Sequence, residues 1–90
     1  MEITSGMVQI PTGDGSMSAF TARPQAAGTH PAIIVVQEAF GLNAHIKDVA
    51  ARLAREGYAT LAPDLYYREK DAVVGYDNLP DAIQIGRAHV

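Results

Sequence analysis

The sequence predicts an α/β fold: a β-hairpin followed by a strand–helix–strand unit, with a parallel sheet left incomplete. Three stretches carry that prediction. "MVQIPTGDGSMSAFTARP" places two extended runs on either side of a turn signal. "AIIVV" is an unbroken apolar run, as expected of a parallel strand buried on both faces. "IKDVAARLAREG" changes to the 3.6-residue period of an amphipathic helix and ends on glycine. The chain has 90 residues, 48% hydrophobic and 19% charged, in the range of one small soluble domain. A chain of this size buries only about 60% of its unfolded surface. A sheet of many parallel strands would therefore be unfinished within it.

Each element has a local reason. Asp14-Gly15 is a type I′ turn signal, because both central positions of that turn need positive φ. Met17, Ala19 and Thr21 alternate with Ser18, Phe20 and Ala22, as in an edge hairpin with two unlike faces. "RPQAAGTHP" reads as a polar loop. The next strand is expected at about 32–37. Asn43 can then cap a helix over 44–56. Ile46, Val49, Ala50, Leu53 and Ala54 form its apolar face, with Lys47, Asp48, Arg52, Arg55 and Glu56 opposite. Gly57 supplies a left-handed stop.

A second strand, parallel to the first, is expected at about 58–62. Pro63 ends its hydrogen-bonding register, and Asp64 opens a loop. The crossover is expected to be right-handed, with loops gathered at the carboxyl ends of the parallel strands. "YYREKDAVVGYDN" reads as a loop, and Pro80 as the first turn of a second helix, "PDAIQ".

The last six residues, "IGRAHV", break that helix as it begins. The codons ATC GGA AGA GCA CAC GTC would encode them, and that string reads like a sequencing-library adapter. The preceding letters AG would complete a CAG codon for Gln84. The expected domain is therefore 1–84, the N-terminal portion of a larger one, with 85–90 a non-native read-through tail. The alternative is a natural short C-terminus. An in-frame stop codon after Val90 in clean genomic sequence would decide for it.

Composition excludes several classes. The formal net charge of −3 argues against a nucleic-acid or anionic-membrane partner. The absence of Cys leaves no disulfide, thiolate metal site or thiol nucleophile in this stretch. No apolar run approaches the roughly 20 residues of a membrane helix. "MEITSGMVQI" has neither the basic region nor the apolar core of a signal peptide. A cytoplasmic location is the expectation. No pair of His or acidic residues has metal-ligand spacing, so no metal site is expected.

The chemistry that remains concentrates in "PAIIVVQEAFGLN". Glu38 falls in the loop between a buried strand and its crossover helix, where open α/β sheets bind ligands. A carboxylate half-buried there could hydrogen-bond a nucleophile or hold a catalytic proton. Equally, it could cap the next helix or face water. Asp64 reads as a turn or cap residue. His45 is expected to be exposed, and His30 lies in a loop. "GDGSMS" is not a nucleophile elbow, because it sits in a hairpin turn rather than between strand and helix. Tyr58, Tyr66, Tyr67 and Tyr76 read as packing and loop-lid residues.

"PAIIVVQEAFGLNAHIKDVAARLAREGYATLAPDLYYR", residues 31–68, resembles the dienelactone hydrolase family of α/β-hydrolases, and the hairpin does so more loosely. The two motifs, "QEAFG" followed by Asn43 and "GYATLAPDLYYR", are specific in combination. The resemblance implies the N-terminal part of an α/β-hydrolase fold. It implies cofactor-free hydrolysis of a small-molecule ester or lactone by a Cys-His-Asp triad. By the same resemblance Glu38 accepts a hydrogen bond from the resting nucleophile and moves aside when substrate binds. The Ala39 backbone N–H contributes to the oxyanion hole, and Phe40 lines the substrate pocket. Asp64 matches a structural aspartate of the family, not the triad acid. Arg68 lies near the family's substrate-carboxylate arginine, in a loop that diverges, and is not given that role. The triad itself follows later in the family and is absent here. The alternative to a truncated, inactive hydrolase is a small non-catalytic βαβ module that docks a ligand or partner. A G-x-C-x-G or G-x-S-x-G after a further strand would select the enzyme.

Overall fold

The computed structural model describes residues 1–67, 75 and 83. Within them the elements are β1 (Ile3–Thr12), β2 (Gly15–Pro24), β3 (Ala32–Ile34), α1 (Ala44–Arg55) and β4 (Ala59–Pro63). The strands form one sheet in the order β1-β2-β4-β3. β1 and β2 are antiparallel, β2 and β4 antiparallel, and β3 and β4 parallel. The expected hairpin and βαβ unit are both present. The loop at 68–78, apart from Gly75, and most of the expected helix at 80–84 lie outside the described residues, as does the 85–90 tail.

The hairpin differs from expectation in two ways. Of its two strands β1 alone is an edge; β2 lies inside the sheet, between β1 and β4. Its burial accordingly shows no clean alternation: Ala19 and Ala22 are both fully buried. The turn is also one residue earlier than Asp14-Gly15. Thr12 pairs with Gly15, leaving Gly13-Asp14 as the turn. The Thr12 hydroxyl donates to Asp14 Oδ1 at 3.0 Å, which ties Asp14 into the turn. Gly15 opens the return strand with φ 149°, a conformation that side chains resist.

The two parallel strands also end differently from expectation. β3 stops at Ile34 rather than 37, although Val35 N–H still donates to Leu61 C=O at 2.8 Å. Beyond it a side chain replaces the ladder: Leu65 N–H donates to Gln37 Oε1 at 2.9 Å. Pro63 is the last residue of β4, one beyond the expected 62. It lies opposite Ala19, and Asp64 N–H donates to Ser18 C=O at 2.8 Å. Ala59 N–H and Leu61 C=O both point towards β3, so position 63 does too. The N–H that proline lacks thus faces the side that β3 has already left.

α1 is set by its ends. Asn43 Oδ1 accepts from Ile46 N–H at 3.1 Å, closing the first turn. Gly57, at φ 106°, donates to Ala54 C=O, and Tyr58 N–H donates to Leu53 C=O. That pair of bonds is a Schellman motif. The helix buries Ile46, Ala50 and Ala54. Leu42, Ile46, Ala50 and Ala62 form the core, with Phe20 and Val35 against it. The small side chains let helix and sheet approach closely. Thr60, 2% exposed, lies with its hydroxyl 2.9 Å from Ala22 C=O and 3.1 Å from Ala50 C=O. One threonine thereby joins β2, β4 and α1.

Candidate functional site

Three segments meet at the carboxyl end of the parallel strands: the β3–α1 loop, the segment after β4, and the hairpin tip. The tip is there because β2 runs antiparallel to β4, and Tyr67 OH donates to Asp14 Oδ1 at 3.0 Å.

The β3–α1 loop turns tightly. Gly41 N–H donates to Glu38 C=O at 3.1 Å, and these two residues form an isolated antiparallel bridge. Gly41 is buried with φ 92°, which explains why the fifth residue of "QEAFG" is glycine. Asn43 N–H then donates to Gly41 C=O at 3.0 Å, and Asn43 begins the helix. Since Asn43 is the cap, Glu38 is not, and that reading of the carboxylate falls away.

Glu38 is exposed. Ala39 and Phe40 are half-buried. The Ala39 N–H takes no backbone acceptor among the described residues. Asp64 has the turn role expected of it, its Oδ1 accepting from Tyr66 N–H at 3.1 Å. His45 is exposed, and His30 Nε2 lies 3.0 Å from Ala26 C=O. Arg68 lies outside the described residues. Among the described residues no three His, Asp or Glu side chains are placed to hold a metal ion, and no helix is long and apolar enough to cross a membrane.

Two residues matter more here than their sequence suggests. Gln37 bridges the loops: its Oε1 accepts from Leu65 N–H, and its Nε2 donates to Glu38 C=O at 3.3 Å. Tyr66, 6% exposed, donates its hydroxyl to Ala39 C=O at 3.0 Å. Both ties reach across more than 25 residues of sequence. The one advance signal was a polar side chain, Gln37, at the end of an apolar strand.

A mixed sheet with a crossover helix, and an ordered turn at the parallel strand ends, defines an α/β-hydrolase-like architecture. More specifically, the chain belongs to the dienelactone hydrolase family, whose model matches residues 17–89. It is 50% identical over 70 residues to a Salmonella typhi protein named "Putative carboxymethylenebutenolidase", covering 77% of this chain and 26% of that one. A Synechocystis protein of the same name is 40% identical over 88 residues, 97% of this chain and 35% of that one. Thus the chain spans about a quarter to a third of these relatives' length. Among solved structures, one titled as a putative dienelactone hydrolase from Klebsiella pneumoniae superposes with TM-score 0.74 at 46% identity, over 80% of this chain and 30% of that one. A dienelactone hydrolase-like promiscuous phosphotriesterase from metagenomic libraries gives TM-score 0.74 at 36% identity, over 97% and 37%.

Proposed function

We propose that this chain is the N-terminal portion, residues 1–84, of a cytoplasmic, cofactor-free hydrolase of small ester or lactone substrates. Residues 85–90 are a read-through tail in this reading. The observation that carries it is the "QEAFG" turn, closed on Gly41 at the carboxyl end of β3, in a chain of this family.

The chemistry divides between this segment and the rest of the longer protein. Ester hydrolysis needs a nucleophile, a base to take its proton, and donors for the oxyanion that forms on the carbonyl oxygen. The nucleophile, Asp and His come from beyond this segment. Glu38 supplies a carboxylate that accepts the resting nucleophile's proton-bearing hydrogen bond, then moves aside as substrate enters. The Ala39 N–H donates to the oxyanion. Phe40 bounds the pocket that receives the acyl group.

The test is Glu38→Gln in the full-length protein, compared with wild type by single-turnover hydrolysis of 4-nitrophenyl acetate and by denaturant unfolding. The fold should survive, because the amide is nearly isosteric. Turnover should fall by about 10²-fold, in the range of a lost general acid–base contribution. Unchanged turnover in the folded variant would remove Glu38 from the chemistry. The 90-residue chain alone should show no enzymatic turnover, and hydrolysis by it at enzyme rates would overturn the division of labour.

A further inference from the structure

We propose that Tyr66 is a positioning residue of this hydrolytic site, acting with Gln37 to aim the Ala39 N–H; the inference rests on the function proposed above. Ala39 lies between two peptide planes, and each is held by its carbonyl. The Glu38–Ala39 peptide is held at Glu38 C=O by Gly41 N–H at 3.1 Å and Gln37 Nε2 at 3.3 Å. The Ala39–Phe40 peptide is held at Ala39 C=O by Tyr66 OH at 3.0 Å.

A trans peptide is planar, so its N–H points opposite its C=O. Fixing the Glu38 carbonyl therefore fixes the Ala39 N–H as well, pointing the opposite way within the same plane. Fixing the Ala39 carbonyl prevents the next peptide from rotating and dragging the first with it. An oxyanion donor is effective only when it is aimed before the charge forms.

Tyr66 is itself well anchored. Its ring is buried, its own N–H donates to Asp64 Oδ1 at 3.1 Å, and the neighbouring Leu65 N–H donates to Gln37 Oε1 at 2.9 Å. The segment after β4 is thus bonded at two points to the loop that carries the donor. Gln37 is a hinge-side clamp and Tyr66 a clamp on the far side of Ala39. Neither needs to touch substrate. Glycine at 41 closes the turn, and the two side chains tie it to the segment after β4.

The variant Tyr66→Phe keeps the ring and removes the hydroxyl. In the full-length protein, kcat for 4-nitrophenyl acetate should fall about tenfold. That is less than the 10²–10³ lost when an oxyanion donor is deleted outright. KM should stay within about twofold, because the lost contact acts in the transition state. Affinity for a phosphonate analogue of the tetrahedral intermediate should fall by the same factor as kcat, while affinity for the product acid should not. Gln37→Met should produce the same pattern, which covers the case in which Tyr66→Phe fails to fold. A merely structural tie would lower the unfolding midpoint and leave kcat per folded molecule unchanged. That result in either folded variant, with an active wild type, overturns the positioning role and leaves the proposed function standing. A full-length wild type without ester turnover would remove the function, and this inference with it.

Discussion

The two parallel strands of this molecule are both short and mostly apolar, yet they have opposite surroundings. β4 runs between β2 and β3, and its Thr60 and Ala62 lie under α1, 2% and 0% exposed. β3 is an edge. Its Ile34 is 66% exposed, and Val36 just beyond it is 61% exposed. "AIIVV" has the composition of a strand covered on both faces, yet among the described residues only Ile33 and Val35 find partial cover. Apolar content therefore states how much burial a strand is suited to, while pairing order decides how much it receives. An apolar edge of this kind is a template for further strand pairing.

The contrast can be tested from the largest effect downward. Ile46→Ala empties part of the core beside Ala62 and should cost about 2–4 kcal/mol of unfolding free energy in urea melts. A loss below about 1 kcal/mol would mean that the α1–β4 layer is not the stable half. Thr60→Val keeps the shape but leaves the Ala22 and Ala50 carbonyls without that donor. It should cost about 1–2 kcal/mol, with Thr60→Ser retaining most of the hydrogen bonding. Equal losses for Val and Ser would assign the effect to packing instead.

Smallest is Ile34→Lys, which should change the stability of the 90-residue chain by no more than about 0.5 kcal/mol. It should also raise the concentration at which light scattering first detects association, because charge on an edge blocks strand addition. In the full-length protein the same change should cost several kcal/mol if β3 there gains a covered neighbour. Equal effects in both contexts would break the comparison.

Helix α1 was legible in the sequence almost to the residue, because its signals are local. Asn43 is three residues from the N–H it caps, and Gly57 follows directly on the last turn. The presence of a hairpin and of a parallel pair was legible too. The order β1-β2-β4-β3 was not, since pairing β2 with β4 joins residues about 40 apart, as Ala22 and Thr60 are. The end of β4 at Pro63 was legible to within a residue, but the Asp64–Ser18 bond just beyond it was not, because proline's effect depends on which neighbour its missing N–H faces. At the site, Glu38, Ala39 and Phe40 were singled out by motif, while strand position alone left the burial of Glu38 open. The bonds of Gln37 and Tyr66 were not legible, because their partners lie in the other loop and no spacing along the chain announces such a pair.

The Thr60 hydroxyl has one proton and two carbonyl oxygens within reach, one on the sheet and one on the helix. Either choice is shielded from water as long as α1 lies flat on β4. Hydroxyl protons normally exchange too fast to be seen by magnetic resonance. This one can leave only when the helix lifts, so its exchange rate would act as a clock for that opening. A single threonine would thus time the separation of the two layers, without any label added to the chain.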